Sequence, residues 1–494
     1  MWLTQLLERN RQCRPGRTAL VDEERSVTWA EFHDRTLELA RGLAELGIER
    51  GDRVAVLSKD RIEVLESYFA LARLGALFVP LNHSLAEPEV AGIIERVGAV
   101  AVIGESELLD RHPELPASVR IRLALDKPAF EALGTLAAER DLPEVADTDP
   151  IAVLHTSATT GQAKGVTVDS GSFRAIALGW LVMARPTDDI VMVNCCPLYH
   201  GSMVVSLTYL AAGATVVLMP GFTPQRALTA VERHRATHMW LVPQMLRFML
   251  QAKASHRTDL SCLREILYGA APMPLDVYAD AVERLGCGFR QVYGMTEVGG
   301  PFVTLGPDEH PAPGDVTARI PCGRVVPGMS ARAVDGGGRE LPPGEIGEIV
   351  VRGPGVMQGY WNDPQATREI TLDGWIRTGD LGFMDDEGRI SLVDRTKDVI
   401  IRAGQNVYPS EIERALLTHP AVRDAAVVGM PDEDYGEVPL AYVVPEPGAA
   451  PGAAALLGHV KGLLAPYKWP RRVEFIEQVP RNPAGKIVKK LLRA

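Results

Sequence analysis

A hydroxyl- and glycine-rich stretch is the part of this sequence best suited to chemistry. It covers residues 156–165, reads T-S-A-T-T-G-Q-A-K-G, and follows the apolar run at residues 151–154. In a tight loop, backbone N–H groups and hydroxyls donate hydrogen bonds to phosphate oxygens, while a lysine ammonium neutralises their charge. The spacing differs from that of the G-x-x-x-x-G-K-[ST] nucleotide loop. Taken alone, the stretch fits a polyphosphate site and a polar surface turn equally well.

Further short motifs follow in a fixed order. They are Pro197-Leu198-Tyr199-His200, Gly269-Ala270-Ala271-Pro272, Tyr293-Gly294-Met295-Thr296-Glu297, Thr378-Gly379-Asp380, Asp394-Arg395-Thr396-Lys397-Asp398, Ala403-Gly404-Gln405-Asn406-Val407-Tyr408-Pro409 and Pro480-Arg481-Asn482-Pro483-Ala484-Gly485-Lys486. Together with the first stretch, they resemble the superfamily of adenylate-forming enzymes, which includes acyl-CoA synthetases, peptide-synthetase adenylation domains and firefly-type luciferases. The family loop corresponding to residues 156–165 reads close to T-S-G-T-T-G-x-P-K-G. The sequence is therefore identified as a member of this superfamily, of the acyl-CoA synthetase or AMP-dependent ligase type.

The resemblance implies a reaction in two halves. A carboxylate attacks the α-phosphate of ATP, giving an acyl-adenylate and pyrophosphate, and a thiol, often that of CoA, then displaces AMP. The implied cofactors are ATP or an acyl-adenylate, Mg²⁺ and coenzyme A, and the partner is a small carboxylic acid.

The resemblance also assigns a nucleotide site. Glu297 would hold Mg²⁺, which prefers oxygen ligands, and Thr296 would donate to the α-phosphate. Asp380 would accept both ribose hydroxyls, with Arg395 near the same ribose. The other implied nucleotide-binding residues are Thr156, Ser157, Thr159, Thr160, Gly161, Lys164, Gly269, Ala270, Ala271, Pro272, Tyr293, Gly294 and Met295. A surface ion pair is the alternative for Asp380 with Arg395, and a core aromatic is the alternative for Tyr293.

Other implied roles concern domain movement and the thiol half of the reaction. Lys486 would stabilise charge during adenylation. Lys397 matches the family hinge, about which the C-terminal domain rotates to bring the Gly404 loop toward the acyl-adenylate. His200 and Tyr199 match an aromatic gate before the thiol tunnel. A solvated tail lysine is the alternative for Lys486, and a packed imidazole is the alternative for His200.

The expected acyl pocket follows from the same resemblance. Its lining residues are His200, Met203, Gln244, Val298, Gly299 and Gly300. Small residues directly after Glu297 predict room for a bulky acyl group.

The phosphate loop departs from the family at two positions. Ala158 replaces a glycine, and Ala163 replaces a proline. A Cβ at a left-handed position costs on the order of 1–2 kcal/mol, whereas the loss of proline rigidity is a smaller effect. The sequence therefore leaves two readings open, a complete ligase that tolerates alanine and a ligase that only transfers a supplied acyl-adenylate. Ala403 likewise stands where many members have the first of two glycines.

Alternating strand and helix patterns must position these residues. Thr28-Trp29-Ala30-Glu31 reads as a capping box that opens a helix. Short apolar runs alternate with helical periodicity through residues 54–103 and 190–291, which predicts parallel sheets covered on both faces. Residues 320–360 read as a small β subdomain. The predicted fold is α/β: a large N-terminal domain of doubly wound α/β subdomains plus that β subdomain (1–396), then a small mobile α+β C-terminal domain (397–494).

Composition limits the class of protein. The chain has 494 residues, 46% of them apolar, and a net charge of −11. These values exclude a disordered chain and argue against a general nucleic-acid binder, which needs a basic surface. The six cysteines form no C-x-x-C pair, residues 1–17 lack the apolar region typical of a secretory leader, and no apolar run reaches about 18 residues. We therefore expect a cytoplasmic enzyme without a membrane span; the oligomeric state stays open.

The sequence predicts an acyl-CoA ligase and leaves several alternatives. The first is a non-adenylating ligase supplied by a separate adenylating enzyme, and the second is an adenylating enzyme directed to a carrier-protein thiol. A luciferase-like oxygenase and a non-catalytic nucleotide- or CoA-binding protein share the same motifs.

Overall fold

The computed structural model describes residues 1–135, 141–156, 163–199, 201–313, 320–481 and 487–493. These residues form two compact units. The first takes in 1–156, 163–330 and 352–376, and the second takes in 331–351 and 377–493.

Helices and strands alternate through the first 330 residues. In chain order the described elements are α1 (Trp2–Cys13), β1 (Thr18–Val21), β2 (Ser26–Thr28), α2 (Trp29–Glu45), β3 (Arg53–Leu57), α3 (Ile62–Leu74), β4 (Leu77–Leu81), α4 (Glu87–Val97), β5 (Ala101–Gly104), α5 (Ser106–Asp110), β6 (Ile121–Ala124), α6 (Pro128–Thr135), β7 (Pro150–His155), β8 (Gly165–Asp169), α7 (Ser170–Ala184), β9 (Val191–Asn194), α8 (Ser202–Ala212), β10 (Thr215–Leu218), α9 (Pro224–His234), β11 (His238–Leu241), α10 (Pro243–Gln251), β12 (Glu265–Gly269), α11 (Leu275–Leu285), β13 (Gly288–Met295), β14 (Gly300–Leu305) and β15 (Arg324–Val325).

The remaining elements are mostly short strands. They are β16 (Ser330–Val334), β17 (Gly347–Arg352), β18 (Gly359–Tyr360), α12 (Pro364–Ile370), β19 (Thr371–Leu372), β20 (Trp375–Met384), β21 (Ile390–Arg395), β22 (Ile400–Arg402), β23 (Gln405–Val407), α13 (Pro409–Leu417), β24 (Val422–Asp432), β25 (Gly436–Pro445), α14 (Ala453–Leu463) and β26 (Arg472–Phe475).

The first unit is built on two mixed sheets. One has the order β15-β14-β13-β12-β11-β9-β10-β1-β2, and the other has the order β18-β8-β7-β4-β3-β5-β6. Pairing is parallel through the middle of both sheets and antiparallel at β2, β14, β15, β8 and β18. The predicted parallel α/β architecture is confirmed, because helices cross between successive parallel strands.

Local signals account for the positions of several elements. The backbone N–H of Thr28 donates to the Glu31 carboxylate at 2.7 Å, and Thr28 Oγ1 accepts from the Glu31 N–H at 3.2 Å. The predicted capping box therefore starts α2. All five residues of β4 are buried, as is typical of a strand covered on both faces. Helix α3 is buried throughout and ends at Gly75, whose φ of 68° is left-handed.

The core beneath these elements is closely packed and aromatic. Phe32, Tyr68, Phe69, Phe78 and Phe173 contact one another mainly edge to face, with centroids 5.1 to 6.4 Å apart. Such contacts hold the helices firmly on the sheet that carries β7 and β8.

The second unit is an α+β assembly, as predicted for the C-terminal part of the chain. Strands β16, β17, β20 and β21 belong to one sheet, and β23-β22-β25-β24 form another with β26 parallel to β25. Helices α13 and α14 cover the latter sheet through an apolar cluster that includes Ile412, Leu416, Val427, Leu456 and Val460. The domain boundary at residues 396/397 stays a prediction. No helix in the described residues is long and apolar enough to cross a membrane.

Candidate functional site

The predicted phosphate loop connects two antiparallel strands. Strand β7 ends at His155, which pairs with Gly165 at the start of β8. At the base of the loop, the Thr156 N–H donates to the Lys164 carbonyl at 3.1 Å, and the Lys164 N–H donates to Thr156 Oγ1 at 3.4 Å. The loop is therefore a strand–loop–strand connection, unlike the strand–loop–helix of the Walker type. Ser157, Ala158, Thr159, Thr160 and Gly161 lie outside the described residues.

Lys164 and Glu297 contact the same tyrosine. The Lys164 ammonium lies 4.9 Å from the centroid of the Tyr360 ring, and the Tyr360 hydroxyl donates to Glu297 Oε1 at 2.8 Å. Lys164 is exposed, whereas Glu297 retains 9% of its accessible surface. The fold thus unites two predicted site residues that are far apart in sequence.

Strand ends bring the predicted adenine-slot motifs to one edge of the large sheet. Gly269 ends β12 and pairs in parallel with Val292 of β13. Residues 270–272 therefore leave the sheet next to residues 293–295, which still belong to β13 and pair with β14. A Cβ on Gly269 would lie 2.5 Å from the Val292 carbonyl oxygen, and one on Gly294 would lie 2.3 Å from that of Gly300. Glycine is required at both positions by close backbone approach. The Tyr293 ring packs on Phe302 with centroids 5.2 Å apart.

The two glycines after Glu297 are required by their backbone conformation and by close packing. Gly299 has φ of 65° and Gly300 has φ of 129°, and an added Cβ would meet the Gly355 carbonyl oxygen at 2.7 Å or Val204 of α8 at 3.0 Å. Backbone conformation and packing therefore explain their small size without a ligand.

The other expected acyl-pocket residues lie on elements around this edge. Met203 is buried in the first turn of α8, Val298 is buried in the 3-10 turn Thr296–Val298, and Gln244 lies in the first turn of α10. His200 lies outside the described residues.

A buried aspartate holds the motif that contains Tyr199. Asp60 Oδ1 accepts from the Leu198 N–H at 2.9 Å, while Oδ2 is buried without a partner. Burial raises the pKa of Asp60 to about 8, an effect that the Leu198 N–H only partly offsets. No sequence signal pointed to Asp60, because its partner is 138 residues away.

The predicted ribose-binding pair is found in the second unit. Asp380 on β20 is opposite Arg395 on β21, and Arg395 Nε lies 3.2 Å from Asp380 Oδ1. The Asp380 side chain is 12% exposed and that of Arg395 is 40% exposed. The carboxylate is therefore largely buried, while the guanidinium is open to solvent.

Glu348 supports the turn that carries Asp380. Its carboxylate accepts from Arg377 Nε at 2.8 Å and from the Gly379 N–H at 3.2 Å. Gly379 has φ of 71°, and Thr378 Oγ1 donates to the Ile349 carbonyl at 2.7 Å. Sequence reasoning also missed Glu348, which stands in none of the motifs.

The Gly404 loop is a two-residue hairpin turn. Arg402 pairs with Gln405 across β22 and β23, and the residues between them, Ala403 and Gly404, have φ of 48° and 78°. A turn with positive φ at both central residues favours glycine twice, which explains why alanine is unusual at position 403.

The remaining predicted residues belong to the second unit. Lys397 lies in the 3-10 turn Thr396–Asp398. Lys486 lies outside the described residues. Among the described residues near it, Arg481 pairs with Ile487 in a β-bridge, and Lys489 Nζ lies 2.9 Å from Oε1 of the partly buried Glu413.

The described residues fit a magnesium ion held mainly by substrate. They contain no cluster of three or more His, Cys, Asp or Glu side chains able to cage a metal. Glu297 offers a hard carboxylate beside the phosphate-loop lysine. Mg²⁺ commonly takes one or two carboxylates plus phosphate oxygens and waters, so this donor set suits it.

Comparison with known proteins agrees with this geometry. The family model described as AMP-binding enzyme matches residues 7–361, and the model of the AMP-binding enzyme C-terminal domain matches residues 411–486. The chain therefore belongs to the family of AMP-binding enzymes, the adenylate-forming superfamily, and is of the acyl-CoA synthetase type.

Three similar proteins illustrate the relationship. A fatty acid–[acyl-carrier-protein] ligase, ScoC, from Streptomyces coeruleorubidus is 36% identical, with 99% of this chain and 96% of that protein covered. A feruloyl-CoA synthase from an Amycolatopsis species is 37% identical, with 97% and 96% covered. The crystal structure of ATP-bound MatB from Rhodopseudomonas palustris superimposes with a TM-score of 0.91 at 31% identity, with 99% of this chain and 98% of that chain covered. The predicted class, an AMP-forming acid–thiol ligase, is confirmed.

Proposed function

We propose that this chain activates a carboxylic acid as its acyl-adenylate and transfers the acyl group to the thiol of coenzyme A. The observation that carries the proposal is the group formed by Lys164, Tyr360 and Glu297, which sets a cation and a carboxylate at the base of the phosphate-loop sequence. A polyphosphate needs such a cation, and its magnesium ion needs such a carboxylate.

The proposed roles divide between the two half-reactions. In the first, a carboxylate oxygen bonds to the α-phosphorus and the bond to pyrophosphate breaks; Lys164, Thr296 and Lys486 would face the phosphates. Glu297 would hold Mg²⁺, which when bound neutralises charge on phosphate oxygens. In the second, the thiol sulfur bonds to the acyl carbon and AMP leaves, with the Gly404 turn at the thiol approach. Asp380 would accept the ribose hydroxyls, with Arg395 beside it.

The proposed acyl pocket comprises His200, Met203, Gln244 and residues 298–300. Burial of Met203 and Val298 favours an acid with an apolar body. A panel of aromatic and aliphatic acids therefore comes first in any assay.

The thiol that accepts the acyl group is either that of CoA or that of a carrier protein, and an assay with both acceptors compares them directly. One similar protein is a CoA synthase and another is a carrier-protein ligase. We propose CoA, and faster acyl transfer to a pantetheine-loaded carrier protein than to CoA would reverse that choice.

A second candidate function is transfer from a supplied acyl-adenylate without adenylation. Ala158 favours it, because the family glycine at this position lets the backbone approach pyrophosphate closely. Against it, this chain accommodates alanine in left-handed conformations elsewhere, at Ala270 (φ 66°) and Ala403 (φ 48°). We therefore favour the complete ligase.

Separate assays of the two half-reactions test both candidates. ATP–pyrophosphate exchange over the acid panel measures adenylation, and AMP release from synthetic acyl-adenylates plus CoA measures transfer. A complete ligase performs both with the same acid. Transfer without exchange, together with exchange restored by Ala158→Gly, would establish the second candidate instead.

A further inference from the structure

Tyr360 contacts two charged groups of the proposed site with two parts of one side chain. The ring face lies under the Lys164 ammonium, 4.9 Å from its centroid, and the hydroxyl donates to Glu297 Oε1 at 2.8 Å. Burial raises the pKa of the Tyr360 phenol above its usual value, and the neighbouring Glu297 carboxylate raises it further. A carboxylate oxygen accepts, so the Tyr360 hydroxyl is the donor of this hydrogen bond.

The backbone of Tyr360 is fixed on both sides. Tyr360 pairs with Val166 of β8, its N–H donates to Thr367 Oγ1 at 2.9 Å, and the next N–H, of Trp361, donates to the Gly165 carbonyl at 2.7 Å. Because β8 begins directly after Lys164, the ring has a fixed relation to the end of the phosphate loop.

The Glu297 side of the contact is tied to the same segment. The Met357 N–H donates to the Glu297 carbonyl at 2.9 Å, three residues before Tyr360. Residues 357–360 thus hold the glutamate by its backbone and by its carboxylate. Such double attachment leaves the carboxylate little freedom to rotate.

We propose that Tyr360 is a positioning residue of the adenylation half-reaction, which orients the Glu297 carboxylate toward magnesium and holds Lys164 toward the phosphates. The inference rests on the proposed function. A hydroxyl bonded to Oε1 leaves Oε2 for the metal, and the ring attracts the ammonium without neutralising it. In a direct ion pair, Lys164 and Glu297 would instead neutralise each other, and neither charge would be left for the phosphates or the metal.

The decisive variant is Tyr360→Phe, which keeps the ring under Lys164 and removes only the hydroxyl. We expect the Mg²⁺ concentration that half-saturates ATP–pyrophosphate exchange to rise about tenfold, in line with the loss of one hydrogen bond to a charged group. Tyr360→Leu removes the ring as well and should also raise the KM for ATP about threefold. Transfer from a synthetic acyl-adenylate to CoA should stay within about twofold of wild type in Tyr360→Phe, because that step involves no pyrophosphate.

A binding measurement accompanies the kinetics. The rise in unfolding temperature caused by ATP should require about tenfold more Mg²⁺ in Tyr360→Phe than in wild type. Tyr278→Phe serves as a matched control, since it removes another phenol hydrogen bond of the same unit, the 3.3 Å bond to the Pro311 carbonyl. It should leave the Mg²⁺ requirement unchanged.

The outcomes separate this inference from the proposed function. An unchanged Mg²⁺ requirement in Tyr360→Phe, or an equal loss in both half-reactions, overturns the role of Tyr360. If wild type performs no exchange with any acid, the proposed adenylation fails, while the Mg²⁺ dependence of ATP binding still decides the role of Tyr360. An absence of any Mg²⁺-dependent ATP binding in wild type overturns both.

Discussion

Glu348 accepts hydrogen bonds from the Arg377 guanidinium and from the Gly379 N–H, so one buried carboxylate fixes the turn that carries Asp380. At the scale of single residues, the proposed nucleotide site therefore depends on side chains outside its motifs. Tyr360 likewise holds Glu297 by a hydrogen bond to its carboxylate, and Asp60 holds the Leu198 segment by accepting from the Leu198 N–H.

Glu348→Gln should weaken AMP binding about fivefold with little change in fold. The amide keeps the shape but loses the charge, and a hydrogen bond to a charged group is stronger than a neutral one by about 1 kcal/mol. Titration calorimetry with AMP measures the effect. The control is Glu340→Gln, because Glu340 is 65% exposed and lies 3.7 Å from Arg332. Equal affinities in the two variants would contradict this role for Glu348.

Asp60 predicts a pH dependence of stability. Its pKa is raised from 3.8 to about 8 in the folded chain. Between these values the folded state holds a proton that the unfolded state has lost, so stability falls as pH rises from about 4 to about 8, by up to about 1.4 kcal/mol per pH unit. Above pH 8 this contribution is constant.

Asp60→Asn removes that titration while keeping the size of the side chain. We expect the unfolding free energy of the variant, relative to wild type, to increase between pH 5 and about pH 8 and then level off. Urea unfolding at a series of pH values measures this difference. A difference independent of pH would show that Asp60 is ionised in the folded chain.

At the scale of a single element, the turn between β22 and β23 requires an unusual backbone conformation. Both of its central residues have positive φ, yet the first is Ala403. A Cβ in the left-handed region costs about 1 kcal/mol, and nothing lies within 4 Å of a Cβ built on Gly404.

Ala403→Gly should therefore stabilise the second unit, offset partly by the entropy of the unfolded glycine, for a net gain below about 1 kcal/mol. Gly404→Ala should destabilise it by about 1 kcal/mol, because strain is added without any contact. Thermal unfolding of both variants compares them directly. A stabilised Gly404→Ala variant would contradict the assigned turn.

At the scale of the whole molecule, the chain forms two compact units. The proposed division of labour assigns Lys486 to adenylation and the Gly404 turn to thiol transfer, with Lys397 as the hinge. Arg481 pairs with Ile487 in a β-bridge and Lys489 lies 2.9 Å from Glu413, so described residues on both sides of position 486 have partners within the second unit.

Lys486→Ala should lower ATP–pyrophosphate exchange by at least about a hundredfold and spare transfer from a supplied acyl-adenylate, because a cation aimed at the α-phosphate acts only in the first step. Gly404→Leu should do the reverse by obstructing the thiol. ATP–pyrophosphate exchange and AMP release from a synthetic acyl-adenylate plus CoA measure the two activities of each variant. Equal loss of both activities in Lys486→Ala would remove the two-conformation proposal.

The sequence by itself determined the family, the order of the motifs and most local structure. Capping at Thr28 and strands such as β4 depend on neighbours in sequence, so local patterns predicted them. Tertiary structure alone decided which side chains meet. Tyr360 reaches Glu297 across 63 residues, and Asp60 reaches Leu198 across 138. Such contacts follow from sheet register and packing, which no local spacing encodes.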